Sequence, residues 1–221
     1  MKVELARHDM EAAFDLLGKL ALDRGLSVEI AVFGGSCLVL ASDIRNSSGD
    51  VDAVFRGHEP EIYAMLEAVA IAQQLPHNWL NQGVKRLAPP IGNPEPNLIP
   101  HGHYPREALP ASGLAGLRVL LPTPAYLLAM KLLANRGSED VDKIQTDTTD
   151  AVALMKVTGI VSRDQIVELL QECYPHVPGV ATPGLSPRMA AKIDAILDAY
   201  EGSSKDDHPA WNAGRGPATR P

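Results

Sequence analysis

The chain has 221 residues, 45% of them hydrophobic, and a formal net charge of -7. That length and apolar content can bury a real core in one domain, or one domain with a small appendage, which sets aside a fibrous or wholly disordered chain. The acidic balance makes the average surface repel phosphate backbones, so any nucleic-acid partner has to meet a local basic patch.

Cys37 and Cys173 lie far apart inside apolar segments and lack the spacing of metal ligands, which suits buried thiols in a reducing cytoplasm. The first residues, MKVELARHDMEAAFDLL, mix acids among the apolar side chains and lack the hydrophobic stretch of a secretion signal. No run reaches the ~20 apolar residues that span a bilayer. The expectation is a cytoplasmic protein with no membrane attachment.

In chain order, apolar residues from Asp9 to Arg24 recur at helical spacing (Ala13, Leu16, Leu17, Leu20) and Gly25 supplies a stop. Val28 to Phe33 is short and rich in β-branched residues, a strand running into a Gly34-Gly35 turn. Ser36 to Ser42 then predicts a buried helix, Asp50 to Phe55 a second strand, and Glu59 to Gln74 an amphipathic helix. Between residues 75 and 117 the texture changes. Prolines at 76, 89, 90, 94, 96, 100, 105 and 110 and five glycines predict mostly loop or short strand. Leu117 to Leu121 predicts a strand. Thr123 as N-cap with Pro124 at the first helical position opens a helix from Ala125 to Arg136. Further helices are expected from about Thr146 to Val157, Ser162 to Glu172 and Ser186 to Tyr200. The polar tail from 201 to 221 is expected to be disordered.

One constellation carries chemistry: strand, Gly34-Gly35-Ser36, helix, then Asp50-Val51-Asp52 about fifteen residues on. Period-two alternation puts Asp50 and Asp52 on one face, ~7 Å apart along the strand. Two carboxylates so placed repel each other unless a cation sits between them or one is protonated. Hard oxygen ligands of this kind suit Mg2+ (or Mn2+), which takes one or two carboxylates with phosphate oxygens and water. The glycines let backbone approach a phosphate, the next helix offers open amides and its positive dipole end, and Ser36 adds a hydroxyl donor. Together they read as a cradle for a nucleoside triphosphate (NTP) and its metal.

Gly34-Gly35-Ser36 followed by Asp50-Val51-Asp52 resembles the signature of the polymerase-β-like nucleotidyltransferase superfamily, particularly its minimal bacterial members. Lys131 and Arg136 in KLLANR, with Asp147 and Asp150 in DTTD, resemble the helical motifs of abortive-infection (AbiE-type) toxin nucleotidyltransferases. The resemblance covers roughly residues 28 to 157. It implies that Asp50 and Asp52 bind metal and that Lys131 and the later Asp residues complete the active site. Two departures accompany it. The family's Arg-x-Thr-x-Asp pattern is met here only by Arg45, five residues before Asp50, with Ser48 at the Thr position. The third carboxylate that many members carry on a later strand has no counterpart between Leu117 and Leu121; Asp147 or Asp150 substitutes for it, or catalysis is weakened.

Other residues invite plainer readings. Lys131 sits in an almost wholly apolar helix, where a lysine snorkels or faces a polar cleft. Asp147 and Asp150 share a helix face and read equally as capping or surface pairing. His77, His101 and His103 read as solvated loop histidines rather than zinc ligands, and Trp79 as a packing anchor.

The fold class expected is α/β (α+β), a nucleotidyltransferase fold with a small mixed sheet flanked by helices. Residues 1–121 form its core, with the proline-rich insertion at 75–117. Residues 122–200 form a helical C-terminal part completing the cleft. The reaction implied is metal-dependent transfer of a nucleotidyl group from an NTP to a hydroxyl of RNA (a tRNA end) or protein, with Asp50, Asp52, Lys131 and Asp150 catalytic. Gly34, Gly35, Ser36, Lys131 and Arg136 would bind nucleotide, Arg45, Ser48 and Asp147 lending support. Such a protein can be the toxin of a pair with a cognate antitoxin. The alternative is a non-catalytic protein that keeps the fold to bind a nucleotide or partner.

Overall fold

The computed structural model describes residues 4–55, 57, 59–89, 96–106, 116–134, 140–180, 184–204 and 209–213. The chain divides into two units, one of residues 1–122 with 212–221 and one of residues 123–211.

The first unit is mixed α/β. It opens with β1 (Leu5–Ala6) and α1 (Arg7–Asp23), then β2 (Val28–Phe33), α2 (Gly34–Ala41), β3 (Ser47–Ser48), β4 (Val51–Phe55) and α3 (Glu59–Gln73), followed by β5 (Leu80–Asn81), β6 (Leu98–Tyr104) and β7 (Leu117–Pro122). Five strands form one mixed sheet in the order β5-β4-β2-β7-β6, while β1 and β3 make a separate antiparallel pair. β2 is central, antiparallel to β4 and parallel to β7. Ile30, Ala31, Val32 and Phe33 are all fully buried, so both faces of this strand are covered, as a near-continuous apolar run requires.

α1 forms where the periodicity predicts it. Met10, Ala13, Phe14, Leu17 and Ala21 fall on one stripe and are buried. The Asp9 carboxylate accepts the Ala6 N–H at 2.9 Å, and Gly25, at φ +66°, ends the helix by donating to Leu22 O.

The stretch from 75 to 117 departs from expectation. Its described residues hold β5 and the seven-residue edge strand β6, which carries His101-Gly102-His103 and pairs antiparallel with β7. Pro100 and Gly102 hid this strand. A proline is tolerated on a sheet edge, and the register shift between Pro100 and Gly102 absorbs the broken alternation. β6 is fixed to α1 by an Arg106–Glu11 ion pair of 2.6 Å and by the Phe14 and Tyr104 rings, 5.5 Å apart. In the tail, residues 209–213 are described, and the Asn212 N–H donates to Ala41 O at 2.6 Å.

The second unit holds four helices among its described residues, α4 (Pro124–Leu133), α5 (Val141–Thr158), α6 (Arg163–Cys173) and α7 (Pro187–Glu201). Thr123 caps α4 by accepting the Tyr126 N–H, Ser162 and Gln165 form a capping box on α6, and Ser186 caps α7. α5 starts five residues before the expected Thr146. Its threonines are accommodated because the hydroxyls of Thr146, Thr148 and Thr149 donate to carbonyls one turn back. Leu127, Leu128, Leu132, Leu154, Met155, Ile166, Leu170 and Ile193 form the core. Among the described residues no helix is long and apolar enough to cross a membrane.

Candidate functional site

The order of β2, α2 and β4 dictates where the acidic pair lands. β2 runs straight into α2, and β4 returns antiparallel beside β2, so the end of β2 and the start of β4 lie at one end of the sheet. Phe33, the N-cap of α2, lies opposite Asp52. Gly34 follows at φ +65°, a region that favours glycine, and a Cβ there would stand 2.6 Å from Asp52 Oδ2. The backbone conformation favours glycine here, and the missing Cβ leaves room for the carboxylate against it.

The second glycine is enclosed from another side. A Cβ on Gly35 would meet the Arg45 guanidinium at 2.7 Å and the Ser48 hydroxyl at 3.0 Å. The two residues that match the family pattern least well therefore sit against the Gly-Gly turn. Ser36 is fully buried and its hydroxyl donates to Phe33 O at 2.8 Å, so it braces the strand-to-helix turn. The first backbone N–H groups of an α-helix have no partner within the helix, and in α2 these belong to Gly34, Gly35 and Ser36.

Asp50 immediately precedes β4. Its Oδ2 accepts from Asn81 Nδ2 at 3.0 Å, and Asn81 lies opposite Asp52 in the parallel pairing of β4 and β5. Asn81 Oδ1 in turn accepts the Gly83 N–H at 2.8 Å, and a Cβ on Gly83 would be 3.8 Å from Asp52 Oδ1. Asn81 thus bonds one carboxylate and flanks the other. No local pattern in the sequence marks it, because its partner is thirty-one residues away. Its neighbour Trp79 is the packing anchor expected, buried, with its indole N–H donating to Leu66 O.

In the second unit Lys131 lies on α4 and Asp147 and Asp150 on α5. Lys131 Nζ is 2.7 Å from Asp147 Oδ1 and 2.7 Å from Asp150 Oδ2. The three residues are 8%, 7% and 2% exposed, so the lysine neither snorkels nor lies on the surface, and the two carboxylates pair inside rather than capping. Lys192 on α7 donates to Lys131 O at 3.0 Å and Ala134 O at 2.7 Å, satisfying carbonyls at the end of α4. Arg136, expected to bind nucleotide, lies outside the described residues.

The histidines do not assemble. His77 is exposed beside Glu67, and His103 is exposed on β6. His101, expected to be solvated, is mostly buried, and burial holds its imidazole down at about 4. Burial pushes the Cys173 thiol up to about 11, which leaves it protonated and unreactive near neutrality. Among the described residues no group of three or more His, Cys, Asp or Glu is placed to hold a metal, so an ion at Asp50 and Asp52 would have two carboxylates from this set. That donor set fits Mg2+, which commonly binds one or two carboxylates and completes its shell with water and phosphate oxygens.

No protein-family model matches the chain, and no match to it is found among curated proteins or solved structures.

Proposed function

We propose that the chain is a metal-dependent nucleotidyltransferase that moves a nucleotidyl group from an NTP to an acceptor hydroxyl. The observation that carries this reading is the Asp52 carboxylate set against Gly34 at the N-terminal end of α2, with Asp50 held at the same end of the sheet through Asn81. Hard anionic oxygens beside a helix N-terminus are what a phosphate chain with its cation needs. The mixed sheet is compatible with a nucleotidyltransferase fold.

Asp50 and Asp52 would hold Mg2+ or Mn2+, which when bound neutralises charge on the reacting phosphate and its leaving group. The amides of Gly34, Gly35 and Ser36 would receive phosphate oxygens. The Arg45 guanidinium, beside Gly35, would add positive charge, and Ser48 would support the turn. The resemblance assigns Lys131, Asp147, Asp150 and Arg136 to nucleotide handling; within the helical unit Lys131 is bound to Asp147 and Asp150. The acceptor would be an RNA such as a tRNA end, or a protein, and the setting a cytoplasmic toxin with a cognate antitoxin.

A second reading, a nucleotide-binding protein without transfer activity, is favoured by one observation: β7, the strand parallel to β2, carries no carboxylate. Magnesium-dependent NTP binding followed by label transfer separates the two. Transfer to a cellular RNA or protein supports the enzyme; binding with no transfer to any of them supports the second reading.

A further inference from the structure

We infer that Asn81 is a positioning residue for the cation, fixing Asp50 so that one of its oxygens is committed and the cation is directed to what remains. This inference rests on the metal-dependent reading above. The amide's orientation is settled by its two contacts. The Gly83 N–H is a donor only, so the atom that meets it at 2.8 Å is the carbonyl oxygen, and the NH2 end must point to Asp50 Oδ2 at 3.0 Å.

The amide is itself held firmly. Trp79 O accepts the Val51 N–H at 2.6 Å, so the segment carrying Asn81 is tied to the start of β4. Trp79 is pinned to α3 through Leu66 O, and beyond Asn81 the chain is tied to α3 again by Gln82 to Tyr63 and Lys85 to Glu59. Asn81 cannot drift from Asp50 without disturbing a buried tryptophan. Its neutral donor occupies one carboxylate oxygen without adding charge, and partners of this kind orient a metal's ligands and tune its affinity.

The test uses the full chain with Mn2+ as probe, read by titration calorimetry and by the metal-induced rise in melting temperature, with Asp52→Asn as the control for the reading itself. Asn81→Ala removes the donor and should weaken Mn2+ binding about tenfold. Asn81→Asp keeps the shape and the acceptor for the Gly83 N–H but faces Asp50 with a like charge that a cation relieves. Mn2+ should therefore raise its melting temperature more than it raises that of the wild type. A folded Asn81→Ala with unchanged Mn2+ affinity, or an Asn81→Asp that Mn2+ stabilises no more than the wild type, overturns the inference alone. Wild type that binds no Mn2+ overturns both the inference and the reading beneath it.

Discussion

At the residue scale, His101 shows how place in the fold overrides type. On β6, desolvation is the largest influence on its imidazole, with Arg7 and Arg106 pushing the same way and Glu11 opposing them. Its value in the fold, about 4, lies below the ordinary 6.5, so the unfolded chain takes up the proton first as pH falls. The stability it permits is full above about 6.5 and is lost as pH drops toward about 4, at up to about 1.4 kcal/mol per pH unit. Urea midpoints between pH 7 and pH 4 should fall less steeply for His101→Gln than for wild type. Parallel slopes would show that the imidazole is not what titrates. The sequence alone suggested a solvated histidine, because Pro100 and Gly102 beside it look like loop residues until the edge strand and its bulge are seen.

At the scale of elements, the strand, helix and strand around Gly34 were legible because each signal is local: a β-branched run, two glycines, an apolar helix and an alternating acidic strand. What local pattern could not supply is the pairing of β4 with β5, which brings Asn81 to Asp50. Lys131 is an intermediate case. Its apolar neighbours showed that its charge needed an explanation, but the two carboxylates that meet it are sixteen and nineteen residues away on α5. Removing one partner of a buried ion network leaves uncompensated charge and costs about 3–5 kcal/mol. Lys131→Ala takes the cation away from two buried carboxylates and should destabilise the helical unit by about that amount. Asp150→Asn leaves the Lys131–Asp147 pair intact and should cost about 1.5–3 kcal/mol, the range for a hydrogen bond to a charged group. Chemical denaturation followed by circular dichroism checks both, and equal losses would contradict the network. Activity lost in Lys131→Ala is interpretable only where that unit is still folded.

At the scale of the whole molecule, the sequence showed seven helices and three of the sheet's five strands, and the boundary between sheet and helical parts falls where the Thr123-Pro124 start signal stands. The acidic pair and the Lys131 network lie in different units, and each is explained by its own neighbours. Nucleotidyl transfer makes a demand that neither simple binding nor phosphoryl transfer shares: the α-phosphate must stay on the acceptor while pyrophosphate departs. The measurement to make is incubation of the purified chain with magnesium, cell extract and NTP labelled at either the α or the γ phosphate, with folded Asp52→Asn alongside. We expect label on an RNA or protein from the α position only, pyrophosphate released in equal amount, and a loss of at least a hundredfold in the variant, as for other electrostatic contributors to transfer. Label arriving from the γ position, or α-label transfer undiminished in Asp52→Asn, would contradict the assignment of this carboxylate pair to nucleotidyl transfer.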